Sequence, residues 1–135
     1  MPVNGRAKGA AGEREFISLM RDWCGDVIDE NVKRNLEQVR NGGHDIVGLN
    51  NWAVEVKRYK TAGDADIKEW WSQAQSQAAA VGKIPALAYR LDRREWRVRV
   101  PLYHLYPGIL CSDVAWTVEL SLEAFAFLYR ESLDV

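Results

Sequence analysis

The succession of apolar periodicities along these 135 residues predicts an α/β fold, a mixed sheet with helices packed against it. Three observations carry that expectation. An amphipathic helical pattern opens the chain. A pair of short strand-like runs follows at 45–57. A second helical pattern then separates that pair from another alternating pair at 84–100. The resulting order is α-β-β-β-α-β-β with a late helix.

Residues 1–9 are polar, carry Arg6 and Lys8, and read as a flexible basic arm. Residues 10–24 are expected to be helical, with Phe16, Leu19, Met20 and Trp23 recurring at i, i+3, i+4 and i+7 and Gly25 ending the helix. Glu13 shares that apolar face. Two readings of it stand: a buried carboxylate held by a partner or a metal, or a partly exposed acid in the first turn favoured by the helix dipole. Residues 26–33 are read as a strand. The polar run RNLEQVRNGG at 34–43 is read as a loop carrying Arg34 and Arg40.

Residues 45–49 and 52–57 form the next pair, with Asn50-Asn51 between them. Asparagine tolerates the positive φ of a two-residue hairpin turn. Trp52, Val54 and Val56 point one way, Ala53, Glu55 and Lys57 the other. A strict two-residue turn sets Asp45 opposite Val56 and aims it away from Glu55. For both carboxylates to serve one ion the register must shift by one residue, through a bulge at Gly48 or a longer turn. The face bearing Glu55 and Lys57, with Asp45 on the partner strand, offers hard oxygen ligands to a cation such as Mg²⁺.

Arg58 and Lys60 continue the strand with positive charge. Residues 64–82 are a helix capped by Asp64 or Asp66, with Ile67, Trp71, Ala74, Ala78 and Val81 inward and Trp70 exposed. Gln73, Gln75 and Gln77 flank the stripe. They read as surface amides. Residues 84–91 and 95–100 form a hairpin in which Trp96, Val98 and Val100 face the core and Arg97 and Arg99 face solvent. Residues 101–113 are irregular. His104 reads as structural, 116–120 as an edge strand, and 122–133 as a last helix capped by Ser121.

The totals bound the rest. One domain spanning 1–135 is large enough for one core, with 101–135 as a C-terminal extension. No run of eighteen apolar residues is present, so a membrane span is not expected, and the opening residues lack the apolar core of a secretory signal. Cys24 and Cys111 lack metal-ligand spacing and read as free thiols of a reducing, cytoplasmic setting. The formal net charge of −1 means that any basic binding face is built locally.

Asp45, followed after nine residues by Glu55-Val56-Lys57, resembles the PD-(D/E)xK nuclease motif, with His44 where that motif often has Pro. Glu13 on a first helix, the run from Arg6 to Gly9, and Gly12 to Phe16 are further similar to the archaeal-type Holliday junction resolvases and their phage-type relatives. The resemblance spans about residues 5–100, and it implies that a side chain of the second helix, Gln73 or Gln77, points at the site. It implies a restriction-endonuclease-like mixed sheet flanked by helices, and a Mg²⁺-dependent endonuclease (Mn²⁺ as an alternative) acting on branched or duplex DNA, four-way junctions above all. It further implies that Glu13, Asp45, Glu55 and the Val56 carbonyl hold the metal while Lys57 places or activates water. Arg6, Lys8, Arg34, Arg40, Arg58 and Lys60 would contact phosphates, in a homodimer matching the junction's two-fold symmetry. Two other readings remain: a repair or restriction-type endonuclease of the same superfamily, and a catalytically inactive DNA-binding module.

Overall fold

The computed structural model describes residues 5–36 and 43–133. Helix α1 (Gly5–Cys24) is followed by strands β1 (Lys33–Arg34), β2 (Ile46–Val47) and β3 (Trp52–Tyr59). Helix α2 (Asp64–Val81) leads to β4 (Ile84–Leu91) and β5 (Arg97–Pro101). A one-turn helix α3 (Leu102–Leu105), a 3₁₀ turn (Val114–Trp116), β6 (Thr117–Ser121) and α4 (Leu122–Ser132) complete the order. The six strands lie side by side as β1-β2-β3-β4-β5-β6. Strands β3 and β4 are parallel and every other neighbour is antiparallel. The sheet is therefore mixed, and α2 is the crossover that a parallel pair requires.

Two apolar layers sandwich the sheet. Phe16, Met20 and Cys24 of α1 and Phe125, Ala126 and Tyr129 of α4 pack with Val54, Val56, Ala88, Val98 and Val100 on one face. Trp70, Trp71 and Ala74 of α2 cover Leu87 and Tyr89 on the other. Strand β3 is buried on both faces because it is central. Glu55 neighbours Leu87 in the ladder, so Glu55, Lys57 and Tyr59 share the α2 side while Val54 and Val56 face α1. Gly12 lets α1 settle onto β3, since a Cβ there would stand 2.8 Å from the Arg58 Cβ. Glu15 ties the helix to β4 and to the residue before β5, accepting from Arg90 Nη1 at 2.6 Å and Trp96 Nε1 at 2.8 Å.

The hairpin carries a bulge. Ile46 pairs with Val54, whereas the turn closes from the Trp52 N–H to the Leu49 carbonyl at 2.9 Å. One more residue therefore lies on the β2 side than on the β3 side between these two links. Gly48 absorbs it at φ +91°, and Asn50 turns the corner at φ +50°. A Cβ on Gly48 would run into the Asn31 carbonyl. The shifted register sets Asp45 opposite Glu55 instead of Val56.

Several expectations are corrected. The arm expected over residues 1–9 is helical from Gly5, and residues 1–4 lie outside the described residues. The strand expected at 26–33 shrinks to Lys33–Arg34. Asp29 instead organises a turn, its Oδ1 accepting from the Asn31 N–H at 2.8 Å and its carbonyl from the Val32 N–H at 3.2 Å. Gly63, rather than Asp64 or Asp66, is the N-cap of α2, and Asp66 reaches back to the Gly63 N–H at 2.9 Å. Trp70 is buried and Val81 is exposed, the reverse of the stripe's reading. Ser121 caps α4 as expected, accepting from the Ala124 N–H at 3.1 Å.

The bulge yields a test. Gly48→Ala forces an L-residue into the left-handed region against the Asn31 carbonyl. Urea denaturation should show a loss of about 2 kcal/mol or more, whereas Gly82→Ala, at φ +65° with open space around it, should lose less.

Candidate active site

The site gathers where β2 leaves β3. The Asp45 N–H still donates to the Val54 carbonyl at 2.9 Å. The chain then turns off toward β1, with the Asn35 N–H donating to the Asp45 carbonyl at 2.7 Å. That departure would leave the Val56 N–H without a ladder partner. The Asp45 carboxylate takes the place of the missing strand, its Oδ2 accepting from Val56 N at 2.7 Å. A charge-assisted bond to a buried amide fixes this side chain firmly.

Glu55 lies next to it and is only 2% exposed. Burial pushes its carboxyl far above the ordinary range, and the adjacent Asp45 carboxyl adds to that through a shared hydrogen bond and charge repulsion. Lys57 and Glu13 act more weakly, in opposite directions. The Glu55 Oε2 is buried with no hydrogen-bond partner among the described residues. A buried acceptor is thus left open beside a second carboxyl group.

Lys57 lies two residues along the same strand face. Its Nζ donates to Gln73 Oε1 at 2.9 Å, which holds the ammonium at the mouth of the pair. Gln73 is thus the amide of α2 that reaches the site. Gln77, one turn on, has a buried Oε1 without a partner among the described residues. Both glutamines flank the Ala74 stripe, and that position alone does not separate them.

Glu13 comes from α1, on the opposite side of the sheet. It is buried, and Arg34 Nε on β1 holds its Oε1 at 3.0 Å. Burial raises its pKa and the Asp45 charge adds to that, while the Arg34 hydrogen bond works the other way. Of the two readings of Glu13, the structure shows the buried carboxylate with a partner. The ladder explains the pairing: Arg34 neighbours Ile46, whose side chain faces α1. No group of three or more His, Cys, Asp and Glu side chains stands ready to hold a metal among the described residues. Asp45 and Glu55 form the close pair, and Glu13 stands behind them with its charge balanced.

The basic residues divide. Arg58 turns to Asp92 at 2.6 Å, so in this structure both Arg34 and Arg58 have internal acidic partners. Lys60 is exposed. Arg6 and Lys8 lie on the first turn of α1, and Arg40 lies outside the described residues. His44, in the place of the motif's proline, is buried with neither ring nitrogen bonded among the described residues, and burial lowers its pKa. His104 packs its ring edge-on to Trp52 at 4.8 Å, a structural role.

Asp45, immediately before β2, and Glu55 on β3 form a buried acidic pair with a lysine two residues beyond the Glu, on a mixed sheet flanked by helices; the class of protein is a nuclease of the PD-(D/E)xK type. The family described as "Phage putative PDDEXK endonuclease" matches residues 4–118, and the chain belongs to it. The chain is 23% identical to protein D14 of Escherichia phage T5 over 118 residues, covering 73% of this chain and 71% of that protein. Among solved structures it is similar to Archaeoglobus fulgidus Hjc, a Holliday junction resolvase from an archaeal hyperthermophile. That likeness has a TM-score of 0.44 at 19% identity and covers 83% of this chain and 98% of the other. No helix of the described residues is long and apolar enough to cross a membrane.

The raised Glu55 carboxyl has a consequence for stability. An unfolded glutamate titrates near 4.5, whereas folded Glu55 keeps its proton up to about 9. Between those values the folded protein binds the extra proton, so stability contributed by this group falls as pH rises. Without divalent cation, the melting temperature of wild type should decline between pH 5 and 9 more steeply than that of Glu55→Gln, measured by calorimetry.

Proposed function

We propose that this endonuclease cuts branched DNA, four-way junctions foremost, and does so with Mg²⁺. The observation that carries the metal part is the open Glu55 Oε2 beside the Asp45 carboxylate. The donors are hard oxygens, and Mg²⁺ characteristically takes one or two carboxylates with water and substrate phosphate completing its shell. Asp45 and Glu55 would hold the ion, with the Val56 carbonyl and Glu13 completing the protein's donors. Mn²⁺ suits the same oxygens. When bound, the ion supplies Lewis-acid stabilisation of the phosphoryl charge and a more acidic water.

The chain's own groups do the remainder. Lys57, aimed by Gln73, orients the attacking water and stabilises the negative charge that builds on phosphorus. Water oxygen bonds to phosphorus in line with the departing sugar oxygen, and the P–O bond to that oxygen breaks. Arg6, Lys8, Arg40 and Lys60 contact neighbouring phosphates, setting affinity and its salt dependence without reading sequence. Arg34 and Arg58 would join them on exchanging their acidic partners for phosphate. The junction preference is supported by the first-helix glutamate and the Gly12 to Phe16 run that the archaeal-type resolvases share. A homodimer matches the paired strands of a four-way junction.

Side-by-side assays on synthetic junctions, flaps and linear duplex test the substrate. Junctions should be cut fastest, and equal rates on all three would overturn the preference. Glu55→Ala and Lys57→Ala should each lower cleavage by about 10²-fold or more while junction binding survives. Wild-type rates in both variants would remove the site assignment. Added Mg²⁺ should raise the melting temperature of wild type by mass action, and that rise should vanish in Asp45→Asn.

A further inference from the structure

Beyond Lys57, β3 presents one more side chain on the same face, Tyr59. Two residues of strand set them about 7 Å apart. Tyr59 is 46% exposed, while the ring behind it, Trp70, is 7% exposed. The two rings stack with centroids 4.9 Å apart and planes at 29°. Trp70 in turn rests on Tyr89, at 6.0 Å and 53°. The Tyr89 hydroxyl donates to Glu119, which also accepts from Arg99 Nη2 at 3.1 Å. The Tyr59 carbonyl accepts from Arg58 Nη1 at 2.9 Å and the Asp92 N–H at 3.1 Å.

The result is an aromatic ladder braced from the core outward, whose last rung turns a ring to solvent beside the lysine of the site. Trp70 stacks on one face of the Tyr59 ring, and the tyrosine is 46% exposed despite that contact. Lys60, exposed and next in sequence, supplies a positive charge at the ladder's edge. A flat ring held rigid on one side, near a phosphate-binding lysine, is suited to a nucleobase: stacking on an aromatic ring is tolerant of base identity.

We infer that Tyr59 is a specificity-determining residue, the platform on which an unstacked base of the DNA rests while the neighbouring phosphate lies at Lys57. Within continuous duplex every base is covered by its neighbours and offers no face. At a branch point the stack is interrupted, and an uncovered base is available. Tyr59 therefore favours branched over linear DNA by rewarding a broken stack. This inference rests on the nuclease reading of the site and adds to it the means of choosing substrate.

The test uses the full-length protein without divalent cation and four-way junctions carrying 2-aminopurine at each position next to the branch. Wild type should quench the probe at one of these positions on binding. Tyr59→Phe should retain that quenching, and Tyr59→Leu should lose it. Junction affinity of Tyr59→Leu should fall by about 10- to 100-fold, more than duplex affinity does, so that the preference narrows. With Mg²⁺ present the narrowing should reside in KM rather than kcat. Absence of quenching at every position in wild type overturns the inference without recourse to any variant. So does a Tyr59→Leu protein that keeps the wild-type preference, or one whose loss is a concentration-dependent self-association. Cleavage by wild type, run in parallel, separates the two readings: cutting without quenching sinks the stacking platform alone, and no cutting of any DNA sinks the nuclease reading together with it.

Discussion

Two carboxyl groups forced together away from water set the terms for everything around them. Asp45, just ahead of β2, and Glu55 on β3 lie side by side and buried, and burial together with the neighbouring Asp45 carboxyl pushes the Glu55 carboxyl far above the ordinary range. The Val56 amide donates to Asp45, and Glu55 beside it holds its proton. In the proposed reading a divalent cation would relieve the repulsion between the two.

The backbone creates this arrangement by a single extra residue. Without the bulge at Gly48 the hairpin would aim Asp45 and Glu55 at opposite faces of the sheet. With it, they align, and the strand end frees the amide that Asp45 then satisfies. The helices position the remainder. Gly12 brings α1 close enough for Glu13 to stand behind the pair, where Arg34 balances its charge. Helix α2 comes over the other face and delivers Gln73 to Lys57. The lysine and the two acids thus face one helix, and the third acid approaches from the other.

Much of this was legible in the residues. Helix periodicity around Phe16, Leu19 and Met20, alternation through β3 and β5, and the Ser121 cap placed most elements. Counting along the hairpin shows that Asp45 and Glu55 can share a face only with a one-residue shift; whether a bulge at Gly48 or a longer turn makes it depends on the Asn31 carbonyl packed against Gly48. Other features were not readable because they depend on partners distant in sequence. Trp70 looked exposed from its place beside the α2 stripe, yet Tyr59 and Tyr89 arrive from two strands to bury it. Arg34 and Arg58 looked like phosphate contacts because charge alone does not reveal that Glu13 and Asp92 fold against them. Ile28 and Val32 suggested a strand, but Asp29 between them bonds its own neighbours and makes a turn. Gln73 and Gln77 could not be told apart without the tilt of α2 over the sheet.

We propose that Asp45 and Glu55 are two ligands of one cation. Crystals grown without metal, then soaked in Mn²⁺ and measured at the manganese absorption edge, should show an anomalous peak bonded to a carboxylate oxygen of each residue. A peak bonded to only one of them, or none at the pair while manganese binds elsewhere, would rule out a shared ion.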